Sequence, residues 1–154
     1  MIYRKVNSND VNDLVNLRKQ QLLEENLREG RKDEKNIDYE LKEYFSKNIE
    51  NNTFISWVAI DNNEIIATSG LCFYQLPPTF SNPSGKVAYI TNMYTMNEYR
   101  RKGIATTLLG KIINEAKLLD YKILRLHTSL DGKSIYKKYG FINSEGFMHI
   151  RINN

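Results

Sequence analysis

A chain of 154 residues with 41% hydrophobic and 26% charged residues suits one domain, residues 1–154, around one core that needs no disulfide or metal staple. A single cysteine, Cys72, excludes an internal disulfide and points to a reducing, cytoplasmic compartment, while the net charge of +4 is scattered and comes with no nucleic-acid-binding motif. No apolar run approaches the roughly 18–20 residues of a membrane span and the stretch after Met1 turns polar at once, so neither insertion nor export is expected.

Ile2 to Val6 reads as an opening strand, and Asn7-Ser8-Asn9-Asp10 offers caps for a helix that carries Val11, Leu14, Val15 and Leu22 and ends near Gly30. From Glu24 to Glu43 eight acids, Asp33 among them, stand against five bases, a local net of −3 that leaves +7 for the remainder. Asp38 then starts a second helix with Leu41, Tyr44, Phe45 and Ile49 at spacings of three and four. Asn51-Asn52-Thr53 matches a glycosylation acceptor but lacks the secreted context it needs. Phe54 to Ile60 and Ile65 to Tyr74 form a hairpin about Asp61-Asn62-Asn63-Glu64, and a Pro-rich loop leads to a strand from Val87 to Thr95. Ile104, Leu108, Ile112, Ala116 and Leu119 mark a helix from near Gly103, and Ile123 to Thr128 is a further strand, so this strand–helix–strand unit makes its two strands parallel. Lys133 to Tyr139 is a short helix ended by Gly140, and Phe147 to Ile152 a final strand.

The turn that opens the long helix reads Arg100-Arg101-Lys102-Gly103-Ile104-Ala105-Thr106. Unpaired N–H groups and the positive dipole end suit an anion there, small residues let it approach, and Arg101 and Lys102 favour a pyrophosphate over one carboxylate. Gly132-Lys133-Ser134 imitates the end of a phosphate-binding P-loop, but His127 stands where that motif needs its first glycine. Two histidines and one cysteine far apart offer no metal-ligand pattern, so no metal is expected. Cys72, Trp57 and Met148 read as core, and His127 as a structural histidine in preference to a catalytic one.

Arg100-x-x-Gly103-x-Ala105 between a strand and a helix, followed by Ile135-Tyr136-Lys137-Lys138-Tyr139-Gly140-Phe141, resembles the GNAT superfamily of acyl-CoA N-acyltransferases. The resemblance implies a mixed, mostly antiparallel sheet with a central splayed parallel strand pair flanked by helices. It further implies an acetyl-CoA-dependent N-acetyltransferase acting on a primary amine in a ternary complex, or, as the alternative, a non-catalytic CoA-binding sensor or scaffold. Arg100, Arg101, Lys102, Gly103, Ile104, Ala105 and Thr106 then bind the donor pyrophosphate, and the backbones of Met93 and Thr95 its pantetheine arm. Met93 supplies an oxyanion donor and Tyr136, rather than neighbouring Tyr139, the general acid. Ser129 stands where many relatives carry a donor-binding asparagine. The strand from Val87 to Thr95 holds no acid, which leaves the general base unassigned, with a water route past Thr91, Asn92 or His127 in view. Because the first two helices line the acceptor side in this fold, the acids of 24–43 point to a cationic small-molecule or peptide acceptor. Oligomeric state is open, a homodimer included.

Overall fold

The computed structural model describes residues 1–32, 34–144 and 146–152. They form β1 (Ile2–Lys5), α1 (Val11–Glu29), α2 (Asp38–Glu50), β2 (Phe54–Asp61), β3 (Glu64–Gln75), β4 (Lys86–Thr95), α3 (Ile104–Leu118), β5 (Leu124–Leu126) and α4 (Lys133–Lys138). The strands lie in the order β1-β2-β3-β4-β5, antiparallel except between β4 and β5, which run parallel. The crossover helix α3 imposes that parallel pair, and the mixed α/β sheet is the one expected.

Local chemistry sets the corners. Asp10 accepts two bonds from Arg4 (2.7 and 2.8 Å) and one from the Asn7 amide (2.8 Å), which ties the end of β1 to the start of α1. The Arg4 guanidinium holds the Asp10 carboxyl below the usual carboxylate range, against the opposing effect of burial. Asn62 and Asn63, both at positive φ, turn β2 back into β3, the hairpin geometry that follows the twist of the sheet. Where the chain re-enters β4, Gly85 has φ +68° and a Cβ there would lie 1.9 Å from the Leu76 carbonyl oxygen, so only glycine fits.

Each face of the sheet has its own core. Leu14 and Leu17 of α1 and Phe45 of α2 pack on Phe54, Val58 and Tyr94. On the other face the apolar stripe of α3 (Ile104, Leu108, Leu109, Ile112, Ala116) packs on Ile66, Leu71, Ala88 and Ile90. Each buried Leu or Ile of the stripe contributes ~1.5–3 kcal/mol relative to exposure, which is what holds α3 under the sheet. Leu119, expected to continue the stripe, falls past the helix end and is 44% exposed.

The C-terminal end departs from expectation. β5 is confined to Leu124–Leu126, and residues 147–152 form no strand. Met148, expected in the core, is 97% exposed, and Ile150 and Ile152 are 84% and 86% exposed. Their alternation has strand periodicity, but a strand also needs a neighbour for its N–H and C=O groups, and among the described residues none pairs with them.

Candidate active site

The site begins where two strands part. β4 pairs with β5 only at Ala88, Tyr89 and Ile90, whereas its pairing with β3 continues to Thr95. Between Thr91 and Tyr94 the register with β3 shifts, and Asn92, at φ +52°, occupies the bulge. Asparagine tolerates this left-handed conformation better than most side chains. Asn92 and Met93 have no register partner in either neighbouring strand, and a cleft of about 730 Å³ opens beside them. Met93, Thr95, Arg100, Arg101, Gly103, Ile104, Ala105, Thr106, Ser129 and Tyr136 all line it, so the structure gathers nearly every expected site residue in one place. Lys102 is the exception: its ammonium lies 5.0 Å from the centre of the Tyr99 ring and does not line the cleft.

The start of α3 forms one wall. Gly103 precedes the helix at φ +78°, provides no side-chain cap, and gives its carbonyl to the Thr107 amide at 3.0 Å. The N–H groups of Ile104, Ala105 and Thr106 therefore lack helical acceptors and, with the helix dipole, suit an anion. Arg101 adds its charge, but Arg100 is already engaged. Its Nε donates to the Thr95 carbonyl (2.8 Å), its Nη2 to Glu24 (2.6 Å), and Tyr94 donates to the same carboxylate at 2.5 Å. Burial works to raise the Glu24 carboxyl, yet the bonds from Tyr94 and Arg100 prevail and hold it low. Burial and that carboxylate together push the Tyr94 hydroxyl up to about 12. Arg100 thus fixes the turn to α1, while Arg101 has no ion-pair partner among the described residues.

Across the cleft, α4 presents two tyrosines with different fates. Tyr139 donates to the Thr106 carbonyl at 3.1 Å and pins α4 to α3. Tyr136 packs its ring edge-on against Phe141, with centroids 5.8 Å apart, and burial pushes its hydroxyl up to about 12. No hydrogen-bond partner meets that hydroxyl among the described residues, so its proton is free for a ligand. Ser129 accepts from the Gly132 amide at 3.3 Å and so shapes the turn into α4.

The third wall comes from α1, as the resemblance implied, through Gln21, Glu25 and Arg28, of which Gln21 and Arg28 were not among the expected site residues. Gln21 accepts from Arg18 (3.0 Å) and donates to Glu25 (3.2 Å) and to the Met93 carbonyl (3.4 Å). Arg28 reaches Asp131 at 2.6 Å and links α1 to the turn before α4. The acids of 24–43 do not share a face. Glu24 serves Tyr94 and Arg100, Asp38 meets Lys19, Glu29 meets Arg31, Asp33 lies outside the described residues, and of the others only Glu25 lines the cleft.

Other candidates fall elsewhere. Trp57 is half-buried and donates to Glu115, and burial raises the Cys72 thiol, whose sulfur faces the Tyr89 carbonyl at 3.7 Å. His127 is exposed in a second cleft of about 520 Å³ that shares Tyr136 with the first. Among the described residues no cluster of His, Cys, Asp or Glu is suited to a metal, and no helix is long and apolar enough to cross a membrane.

Comparison with known proteins meets this geometry. Residues 15–141 match the model of the acetyltransferase (GNAT) family. A predicted acetyltransferase from Clostridium acetobutylicum, whose crystal structure was solved with acetyl-CoA, is 40% identical, with a TM-score of 0.90 over 97% of this chain and 95% of that one. A GCN5-related N-acetyltransferase from Ralstonia eutropha (20% identity, TM-score 0.81, 97% of each chain) shares the fold. So does glucosamine-6-phosphate N-acetyltransferase from Arabidopsis thaliana (18% identity, TM-score 0.73, 99% of this chain and 98% of that one). No curated protein matches the chain.

Proposed function

The chain belongs to the GNAT acetyltransferase family, and from that premise we propose that it moves the acetyl group of acetyl-CoA directly onto a primary amine, with both substrates bound together and no acyl-enzyme formed. The observation that carries this reading is convergence: the uncapped start of α3, the unpaired stretch of β4 at Met93 and the unspent hydroxyl of Tyr136 line one cleft. The amides of Ile104 to Thr106, with Arg101 beside them, fit a pyrophosphate. The Clostridium acetobutylicum relative, solved with acetyl-CoA, supports the same donor here.

Met93 and Thr95 offer backbone groups to the pantetheine arm along the open side of β4. As the amine nitrogen attacks, negative charge develops on the thioester carbonyl oxygen, and the Met93 N–H serves as its donor. The C–N bond forms, the C–S bond breaks with its electron pair going to sulfur, and the proton that the new amide nitrogen sheds passes to that thiolate. A hydroxyl near 12 facing a thiol near about 8.5 keeps its own proton at rest, so Tyr136 acts first as a hydrogen-bond donor to that sulfur. The acceptor's ammonium must lose a proton before attack. Glu25 receives it, because among the described residues it is the acid of this cleft that no cation holds in an ion pair.

Two measurements test the reading. Acetyl-CoA at a hundredfold excess over its dissociation constant stabilises the fold by roughly 2.7 kcal/mol, read as a raised melting temperature. Gly103→Val, a β-branched residue at φ +78°, loses that shift. With a panel of amines, acetyl-CoA then releases free thiol. A melting shift without thiol release from any amine would return the protein to the sensor alternative, which the unspent Tyr136 hydroxyl argues against.

A further inference from the structure

Gln21 lies where the two chemistries of the first cleft meet. Met93, on the unpaired stretch of β4, is the oxyanion donor, and Glu25, on α1, receives the proton. Gln21 stands four residues before Glu25 on the same helix face, and all three residues line the cleft. Its carboxamide has two N–H groups and two acceptors within reach, the Glu25 carboxylate at 3.2 Å and the Met93 carbonyl at 3.4 Å, while its oxygen accepts from Arg18 at 3.0 Å. Arg18 can only donate and the other two groups can only accept, which fixes the end of the carboxamide that faces each of them.

Each bond answers a need set by its surroundings. The ladder between β3 and β4 is interrupted between Thr91 and Tyr94, and β5 follows β4 only as far as Ile90, so neither strand offers Met93 a register partner. A carbonyl in such a gap takes its hydrogen bond from outside the sheet, and a helix side chain gives it. Glu25 has a different need. A carboxylate that is to take a proton from an ammonium has to be held in place without being neutralised, and a cation in contact with it would do both. Arg18 is the cation at hand, yet it bonds the Gln21 oxygen, and no ion pair joins it to Glu25 among the described residues. The carboxamide stands between guanidinium and carboxylate and passes on the hold, strengthened by polarisation along the chain of bonds, without the charge.

The helix itself is anchored by other contacts. Leu14 and Leu17 sit in the core, Glu24 receives Tyr94 at 2.5 Å and Arg100 at 2.6 Å, and Arg28 meets Asp131 at 2.6 Å. We propose that Gln21 is a positioning residue of the transfer: it fixes the Met93 peptide and the Glu25 carboxylate relative to each other, so that oxyanion donor and proton acceptor face one thioester carbon together. The proposal rests on the amine acetyltransferase reading above.

Thiol-release kinetics decide it, with acetyl-CoA and a panel of spermidine, glucosamine, alanine and alanine methyl ester, read on the amine of highest turnover. Gln21→Met keeps the length of the side chain and loses its hydrogen bonds. It is expected to lower kcat at least ~10-fold with the acetyl-CoA dissociation constant and the melting temperature nearly unchanged, because a misplaced reacting group costs rate and not donor affinity. Glu25→Gln has its own loss, and the double variant is expected to lose clearly less than the product of the two single losses, since both break one unit. A kcat that survives Gln21→Met, a loss matched by the fraction unfolded, or single losses that multiply in the double variant overturns the proposal. Gln21→Asn, one methylene shorter, is the second variant should the first fail to fold, with the same loss expected. If the parent protein releases thiol with no amine, the transferase reading fails by itself. The tether is then read from the nitrogen-15 shift of the Tyr94 amide, which shares a peptide with the Met93 carbonyl: a shift that moves in the Gln21 variant supports the tether, and one that stays refutes it.

Discussion

The two ends of α3 are built on opposite terms. Near its C-terminal end Glu115 is 7% exposed, and its carboxylate receives Lys5 at 2.8 Å and the Trp57 indole at 3.0 Å. Lys111, one turn back, stacks over the Trp57 ring at 4.3 Å, so Lys5, Trp57, Lys111 and Glu115 satisfy one another in this corner. At the N-terminal end Gly103 offers no side-chain cap, and across the cleft no described residue hydrogen-bonds the Tyr136 hydroxyl. Groups that satisfy one another hold a fold, and groups left open in a cleft await a ligand.

Substitutions at the two ends sharpen the contrast. Tyr136→Phe is expected to lower turnover by roughly 10² to 10⁴ with acetyl-CoA affinity nearly unchanged, measured by steady-state kinetics and titration. Tyr139→Phe, which loses only the bond to Thr106, should lower stability by about 1 kcal/mol and leave most turnover. The reverse outcome would overturn the assignment of α4. At the satisfied end, Glu115→Ala leaves the Trp57 indole N–H without its acceptor and is expected to cost about 1.5–3 kcal/mol in a urea melt. The stabilisation given by acetyl-CoA should survive in that variant; its loss would mean that the two ends are coupled through the helix.

The smallest effect concerns pH and lies far from the cleft. The Asp10 carboxyl is held below its unfolded value near about 3.9, so its contribution is complete above that value and disappears as pH falls through the lower folded one. Urea midpoints between about pH 5 and about pH 2 should therefore fall less steeply in Arg4→Met than in the parent chain.

What the sequence made legible was local. Gly103 before a run at three-to-four spacing announced α3 and its anion-ready start, and the place of Tyr136 before Gly140-Phe141 singled it out from nine other tyrosines. Glu24, by contrast, meets Tyr94 and Arg100 across 70 and 76 residues of chain, and Gln21 meets Met93 across 72. No periodicity encodes such contacts. The acids of 24–43 add up to a charge without a direction: Glu24 meets Tyr94 and Arg100, Asp38 meets Lys19, Glu29 meets Arg31, and Glu25 lines the cleft. Residues 147–152 misled because alternation reports what a strand would look like without reporting whether a second strand lies beside it.

The bulge at Asn92 acts as a change of phase. Along β4, Ala88 and Ile90 face α3, and strict alternation would send Tyr94 to that side as well; the extra residue instead gives Met93 to the α3 side and turns Tyr94 towards α1. The parity of one strand is thereby reversed halfway along its length. Flattening the bulge without removing a residue would leave both halves of β4 hydrophobic and able to pair, yet it would put Tyr94 on the wrong side of the sheet from Glu24, whereas deleting Asn92 would restore plain alternation and keep Met93 and Tyr94 each on its own side.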